Sequence, residues 1–308
     1  KNKKMLSCCT IQMANQTNKK RYIQLCLDTA FLNNIPIFAQ PFWLDAVAEN
    51  WDVCLIIDNH FSVVAALPFC WKGNLITKRI YLPDVSFYQS VIFFDEVENK
   101  YDVIQQLFQQ LPKTVKSYFK FLPAYSNIDL SKLNHQKEVY FTYYIDRNQH
   151  ELSFSNNHKR NIQKGIKKRY RIGDSDDLSA SYNLLMATFK RQQITSKINF
   201  FAFENLHQLV KKHHCGKTLN CYDDNNNLLA SIFMVEDAQT VYYLMGGYDA
   251  TYKNSGAMTF LLNDSIQYAQ QQQKDFNFCG SSQKSIANYF EGFGAEKTAI
   301  SIWKKSIL

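Results

Sequence analysis

The sequence predicts an α/β (α+β) fold of mixed sheets flanked by helices, laid out as two consecutive halves. Runs of β-branched and aromatic residues alternate with segments of helical period along the chain. The order of hairpin strands, another strand, a helix and a further strand occurs twice, with no residue-level repeat between the two passes. No low-complexity linker parts the halves, and only 10 Gly and 6 Pro occur in 308 residues.

In the first half, Val53 to Asp58 and Phe61 to Cys70 are β-rich runs, and Asp58-Asn59-His60 between them reads as a hairpin turn. Val91 to Phe94 is a short buried strand. Ile104, Leu107, Phe108 and Leu111 then recur at helical spacing, and Pro112 closes that helix. Phe119 to Leu122 reads as a strand ending at Pro123, and Glu138 to Asp146 as another.

The second half opens on helices, from about Ser155 to Tyr170, from Leu178 to Phe189, and from Phe201 to His213. Strands follow at Lys217 to Tyr222, Leu228 to Val235 and Thr240 to Gly246, with Asp224 to Asn227 turning between the first two. A helix with Met258, Leu261, Leu262, Ile266 and Ala269 on one face comes next. A buried strand (Phe276 to Cys279), a short helix (Gln283 to Phe290) and a last strand (Ala299 to Lys304) complete the order. The expected domains are 1–148 and 149–308, with the last strand able to pack on the N-terminal half.

Hydrophobic residues make up 46% of the chain, enough for a large core. The net charge of +8 favours an acidic partner such as nucleic acid, a phosphorylated cofactor or an anionic surface, without choosing among them. Eight cysteines show neither CxxC nor zinc-ligand spacing, so reduced core thiols are expected and no metal is. The basic N-terminus carries no apolar run long enough for a signal peptide, and no stretch reaches the length of a membrane span. A cytoplasmic location is the expectation.

Three segments can carry chemistry. Leu244-Met245-Gly246-Gly247 ends a buried strand, where glycines permit close backbone approach or a bulge. It leads through Lys253-Asn254-Ser255-Gly256-Ala257 into a helix whose free N–H groups suit a phosphate or pyrophosphate. Taken alone, the pattern is an ordinary strand, turn and capped helix. Phe276 to Gly280, then Ser281 and Ser282, place small polar groups at a strand's carboxyl end, and Glu291-Gly292-Phe293-Gly294 ends a helix with a plain glycine stop as the bland alternative.

The third segment is basic. No acidic residue occurs between Leu152 and Gly173, and its seven Lys and Arg nearly match the net excess. Arg160, Lys164, Lys167, Lys168 and Arg171 fall at offsets 0, 4, 7, 8 and 11, one helical stripe, with Ile162, Ile166 and Tyr170 opposite as the expected anchor to the core. Such a stripe is either a solvated face or an anion site. Around Tyr88 and Gln89, aromatic and amide residues can line an acceptor pocket, or simply pack. There is no GxSxG elbow, Walker A loop, GxGxxG or HExxH, and the histidines read as structural or surface residues.

Taken in order, Ser155-Asn156-Asn157-His158-Lys159-Arg160-Asn161-Ile162, Tyr243 to Gly247, Ser255-Gly256-Ala257, Phe276 to Ser281 and Phe290 to Gly294 resemble the FemAB-type (peptidoglycan-bridge) and "BioF2-like" transferases of the GNAT superfamily. Gln40-Pro41-Phe42-Trp43-Leu44 also resembles the start of that family's first half. The resemblance implies two tandem GNAT-like domains and transfer of an acyl or aminoacyl group from acyl-CoA (acetyl-CoA) or aminoacyl-tRNA to an amine on a small molecule or peptide. It implies donor binding by Met245, Gly246, Gly247 and Lys253 to Ala257. Tyr289 and Glu291 are the catalytic candidates, Glu291 as a general base; Tyr88, Gln89, Arg160, Lys164 and Ser281 are the substrate-binding candidates. A tRNA would reach the basic helix 159–171. The loop departs from the usual GNAT pattern at Tyr252-Lys253-Asn254, and Glu291 stands where bridge-forming enzymes often carry Lys. The competing reading is a nucleic-acid-binding protein on a catalytically inactive GNAT scaffold.

Overall fold

The computed structural model describes residues 9–12, 15–28, 31, 33–149, 151–174, 177–193, 198–280 and 283–306. The chain divides into two compact units, Lys1–Tyr140 with Ala299–Leu308, and Phe141–Thr298.

The first unit contains strands β1 (Cys9–Gln12), β2 (Asn50–Asp58), β3 (Val63–Lys72), β4 (Arg79–Tyr81), β5 (Ile92–Phe93) and β6 (Lys116–Lys120), with helices α1 (Gln16–Cys26), α2 (Pro41–Val47) and α3 (Lys100–Gln109). Strands β1, β2, β3 and β4 pair antiparallel in that order, β5 adds to β3, and β4 meets β6 in parallel. The last strand, β13 (Glu296–Ser306), pairs antiparallel with β6 through Ile302 to Ser306. Pro41 begins α2, where its missing N–H costs nothing, and Asn99 caps α3 through the N–H groups of Tyr101 and Asp102. One core lies under α3 and includes Val103, Leu107, Phe119, Phe121 and Trp303. The other joins Tyr22 and Leu44 to the opposite face of β2 and β3.

The second unit contains β7 (Gln136–Ile145, shared with the first), α4 (Asn156–Lys167), β8 (Arg171–Asp174), α5 (Leu178–Arg191), α6 (Phe200–Lys212), β9 (Gly216–Tyr222), β10 (Leu228–Glu236), β11 (Thr240–Tyr248), α7 (Ala257–Gln271), β12 (Asp275–Asn277) and α8 (Lys284–Glu291). The strand order is β7-β12-β11-β10-β9-β8, antiparallel except for β12 with β11. Both units are thus mixed sheets with helices packed on them. The chain passes between units within β7, earlier than the expected break at 148/149, because Tyr144 and Ile145 pair with Asn277 and Phe276 of β12.

The basic segment differs from its sequence reading. Helix α4 stops at Lys167; Arg169 takes a positive φ of 52°, and Arg171 already belongs to β8. The stripe expected from Arg160 to Arg171 is therefore broken after Lys168. Nor does Ile166 anchor α4, being 55% exposed. The inward side carries His158 and Gly165 instead, and a Cβ on Gly165 would lie 2.5 Å from the Phe260 ring of α7. That close approach rotates Ile166 into solvent. Tyr170, beyond the helix, is buried as expected.

Candidate active site

Strand β11 is paired along one edge only in part. It follows β10 from Val241 to Tyr248, with Leu244 as the extra residue of a bulge opposite Phe233 and Met234. On its other edge it meets β12 only at Thr240, Val241 and Tyr242. The reason lies in β12. Asn277 is fully buried, and its Oδ1 accepts the Thr142 hydroxyl (2.6 Å) and the Cys279 N–H (2.8 Å). The Phe278 N–H goes to Tyr143 O (3.0 Å), so the chain leaves β11 and turns through positive φ at Cys279 and Gly280. From Tyr243 onward this edge of β11 has no strand beside it among the described residues.

A cleft of about 490 Å³ opens there. Tyr243, Gly246 and Tyr248 line it from β11, Lys253 to Thr259 from the following loop and the first turn of α7, and Ser285, Ile286, Tyr289 and Phe290 from α8. Asn157 and Asn161 of α4 and Thr188 and Gln192 of α5 complete the wall. The two glycines of β11 face opposite ways. Gly246 lines the cleft, where a Cβ would collide with the Tyr243 hydroxyl; Gly247 is buried, where a Cβ would collide with Leu184 O of α5.

The loop before α7 is held from behind. Lys164 Nζ donates to Asn254 O (2.5 Å) and Tyr170 Oη to Ser255 O (3.1 Å). Ser255 Oγ accepts the Ala257 N–H (3.2 Å), and Gly256 caps the helix at φ +79° with no side chain of its own. The first intrahelical bond runs from Phe260 N–H to Gly256 O (3.0 Å), so the N–H groups of Met258 and Thr259 precede it. Such donors and the positive end of the helix dipole suit an anion. Asn161 stands against Gly256, with its Cβ 3.0 Å from where a Gly256 Cβ would be.

Across the cleft, Tyr289 Oη lies 3.1 Å from Thr259 Oγ1. Burial, more than the nearby Tyr243 and Tyr248, raises the Tyr289 phenol above its ordinary value, against a smaller lowering by the Thr259 hydrogen bond. Burial raises Tyr243 likewise. The Tyr289 ring packs between His158 (centroids 4.9 Å) and Phe293 (5.4 Å). His158 Nδ1 bonds Ser155 Oγ (2.7 Å), and Ser155 N–H donates to Gly292 O (2.8 Å). Gly292 is not a left-handed helix stop: its φ is −63°, and it is small because a Cβ would collide with the His158 ring. The Ser155-x-x-His158 start of α4 and the Gly292-Phe293 turn therefore act together to fix Tyr289.

Seven of the sequence candidates thus meet at one cleft: Gly246, Lys253, Asn254, Ser255, Gly256, Ala257 and Tyr289. Met245 and Gly247 flank it on the buried face of β11. Lys164 reaches it only through Asn254 O. Arg160 and Glu291 are exposed and outside its lining; the Glu291 charge, after burial, raises Tyr143. Tyr88 and Gln89 are buried in the first unit, Tyr88 against Phe38 and Phe87, Gln89 donating to Tyr81 O (3.0 Å). Ser281 lies outside the described residues. His158, Asn157, Asn161, Thr188 and Gln192 carry no sequence signal of their own beyond the Ser155 to Ile162 motif. No group of His, Cys, Asp or Glu suited to a metal occurs among the described residues, and none of the described helices is long and apolar enough to cross a membrane.

Residues 153–288 match the family model "Acetyltransferase (GNAT) domain". No curated protein matches the sequence. Among solved structures, FemX aligns at TM-score 0.62 with 10% identity, over 95% of this chain and 96% of that one. A tandem GNAT protein from the clavulanic acid biosynthesis pathway aligns at 0.53 with 10% identity, over 96% and 98%. The C-terminal domain of a putative lysylphosphatidylglycerol synthetase from Agrobacterium fabrum aligns at 0.55 with 9% identity, over 94% and 91%. At such identities the likeness is one of fold. Residues 153–288 thus resemble a GNAT acetyltransferase domain, and the chain has a mixed α/β fold like that of FemX and the tandem GNAT structure.

Proposed function

We propose that the chain is an N-acyltransferase that takes an acyl group from acyl-CoA and passes it to an amine. The observation that carries this reading is the half-paired β11, whose free edge runs beside the cleft toward the α7 amide donors that precede the first intrahelical bond. A pantetheine arm has amides that suit an unpaired strand edge, and its pyrophosphate suits the N–H groups of Met258 and Thr259. The small residues serve the cleft wall: Gly246 lets the Tyr243 hydroxyl lie against β11, and Gly256 lets Asn161 close on the α7 start. When bound, the donor supplies an activated thioester carbonyl.

The protein's part is position and proton. Lys164 and Tyr170 hold the loop carbonyls of Asn254 and Ser255 away, keeping amide hydrogens for the donor phosphates. Tyr289 keeps its proton because burial raises its phenol, and Thr259 orients the Oη. That proton can pass to the departing sulfur as the amine nitrogen bonds the carbonyl carbon and the C–S bond breaks. The proton the nitrogen sheds returns to the Tyr289 oxygen, restoring the phenol. Placement of both partners in one cleft supplies much of the remaining rate.

Melting with and without CoA, followed by thiol release from acetyl-CoA with a panel of amines, tests the reading. CoA at a hundred times its Kd should stabilise the protein by about 2.7 kcal/mol. No melting shift and no thiol release would remove it. Exposed Lys159, Arg160, Lys167 and Lys168 support aminoacyl-tRNA as a second donor class; release of the amino acid from charged tRNA, with no CoA binding, would favour it.

A further inference from the structure

The turn between β3 and β4 is far in sequence from every cleft residue and is built for exposure. Asn74 Oδ1 accepts the N–H groups of Ile76 and Thr77 (3.0 Å each) and the Thr77 hydroxyl (3.1 Å). Thr77 Oγ1 accepts the Asn74 N–H in return (3.2 Å). Gly73 enters the turn at φ +92°, and a Cβ there would lie 2.7 Å from Thr77 O. The tip is thereby fixed by its own hydrogen bonds, and it presents Leu75 and Ile76 at 94% and 82% exposure. A turn held this firmly has no packing reason to carry two bare aliphatic side chains.

Cations surround the tip. Lys72, Lys78 and Arg79 come from the two strands of the hairpin. Lys116 stands in register with Arg79, and the Val115 N–H donates to Lys78 O (2.9 Å), which brings Lys113 and Lys116 alongside. Lys305 follows one strand on, opposite Ser117. No acidic residue occurs from Trp71 to Tyr81 or from Val103 to Ile128. The ion pairs found among the described residues involve none of these six cations. The Asp52 carboxylate beside the hairpin accepts Trp71 Nε1 (3.1 Å). Lys78 Nζ rests 4.0 Å over the Trp71 ring and Lys72 Nζ 4.5 Å over Tyr81, so aromatic faces keep both ammonium groups near the turn.

Like charges placed side by side repel, and a sheet tolerates them best when an external anion meets them. Nucleic acid would satisfy the cations and leave Leu75 and Ile76 wet. A lipid surface satisfies both: aliphatic tips enter the acyl region while Lys and Arg stay at the phosphates. We propose that the β3–β4 turn docks this protein on an anionic bilayer, with Leu75 and Ile76 inserted and Lys72, Lys78, Arg79, Lys113 and Lys116 at the lipid headgroups. This surface is independent of the donor assigned to the cleft.

Sedimentation of the full chain with phosphatidylglycerol-containing vesicles, and with phosphatidylcholine alone, tests it. The expected result is binding to the anionic vesicles, weakened by about 0.5 M salt, and little binding to the neutral ones. Leu75→Ser/Ile76→Ser should lower the partition roughly tenfold or more with an unchanged melting curve, because both side chains lie in solvent. Lys113→Glu/Lys116→Glu should lower it as well. Trp43, Trp51 and Trp303 are buried, so a blue shift in tryptophan emission on adding vesicles reports Trp71 beside the turn. Failure of the unaltered protein to bind anionic vesicles overturns the proposal, as does undiminished binding by the double serine variant. Self-association abolished by the serine changes, without vesicle binding, would assign the turn to a second copy and overturn it too.

Discussion

Tyr289 Oη and Thr259 Oγ1, 3.1 Å apart, tie the end of α8 to the first turn of α7 across the cleft. The phenol that can give up a proton is thereby set beside the amide donors that can hold the donor's phosphates. Substitutions on either side of this bridge should separate chemistry from binding.

Tyr289→Phe keeps the ring between His158 and Phe293 and removes only the hydroxyl. Turnover should fall by about two orders of magnitude or more, while CoA affinity, read by calorimetry, stays within a few fold of the unaltered protein. Affinity falling as steeply as turnover would make Tyr289 a binding group instead.

The pH dependence has a defined sign. Tyr289 acts in its protonated form, and burial raises its pKa above the ordinary phenol value of about 10. The phenol therefore remains protonated throughout the neutral and mildly alkaline range, and its loss should depress kcat only above about pH 10. A falling limb near pH 8 that disappears in Tyr289→Phe would contradict the assignment.

Glu291→Gln should change turnover less than about twofold, in keeping with an exposed surface position. A larger loss, at unchanged donor affinity, would restore Glu291 as a general base. The sequence alone could not decide this, because adjacent helical positions differ by roughly 100° in direction. Tyr289 turns into the cleft; Glu291, two residues on, does not line it.

Lys164→Met removes the bond to Asn254 O at a half-buried position. Donor affinity should fall about fivefold, a loss of about 1 kcal/mol, with little change in melting temperature. Equal loss of affinity for every polyanion tested, nucleic acid included, would point to the helix surface rather than the loop.

Two glycine substitutions should act differently. Gly247→Ala meets the backbone of α5 and should destabilise the fold by about 1–3 kcal/mol. Gly256→Ala is strained by its positive φ, about 1–2 kcal/mol, and should in addition weaken CoA binding because it crowds the α7 start. Urea unfolding and calorimetry on the same samples distinguish the two.

The glycine pair, the loop into α7 and the major strands were legible because local residue choice decides them: alternation, helical period and small residues at a helix start. The parting of β11 from β12 was not. It depends on where the Asn277 side chain and the Phe278 N–H find partners, on Thr142 and Tyr143, more than a hundred residues away in sequence. The short strands β1, β4 and β8 carry no usable period in three or four residues; α2 is under two turns long, and the buried positions of α1 (Asn18, Tyr22 and Cys26) make no apolar stripe. Ile166 misled for a related reason. Apolar spacing marks a face, but Gly165 lets α4 press against Phe260, and the close approach decides which face turns inward. His158 reads in the sequence as a structural or surface residue and is a buried packing one; its place beside Tyr289 rests on room left by Gly292.

Strand β13 brings Ile302 to Ser306 back to β6, with Trp303 buried in the first core. During synthesis, the second unit emerges as one uninterrupted stretch and has every segment it needs before residue 299 is made. The first unit, begun earlier, waits for its closing strand until residues 299–306 are made. Removing that segment should accordingly harm the unit translated before the one it follows in sequence.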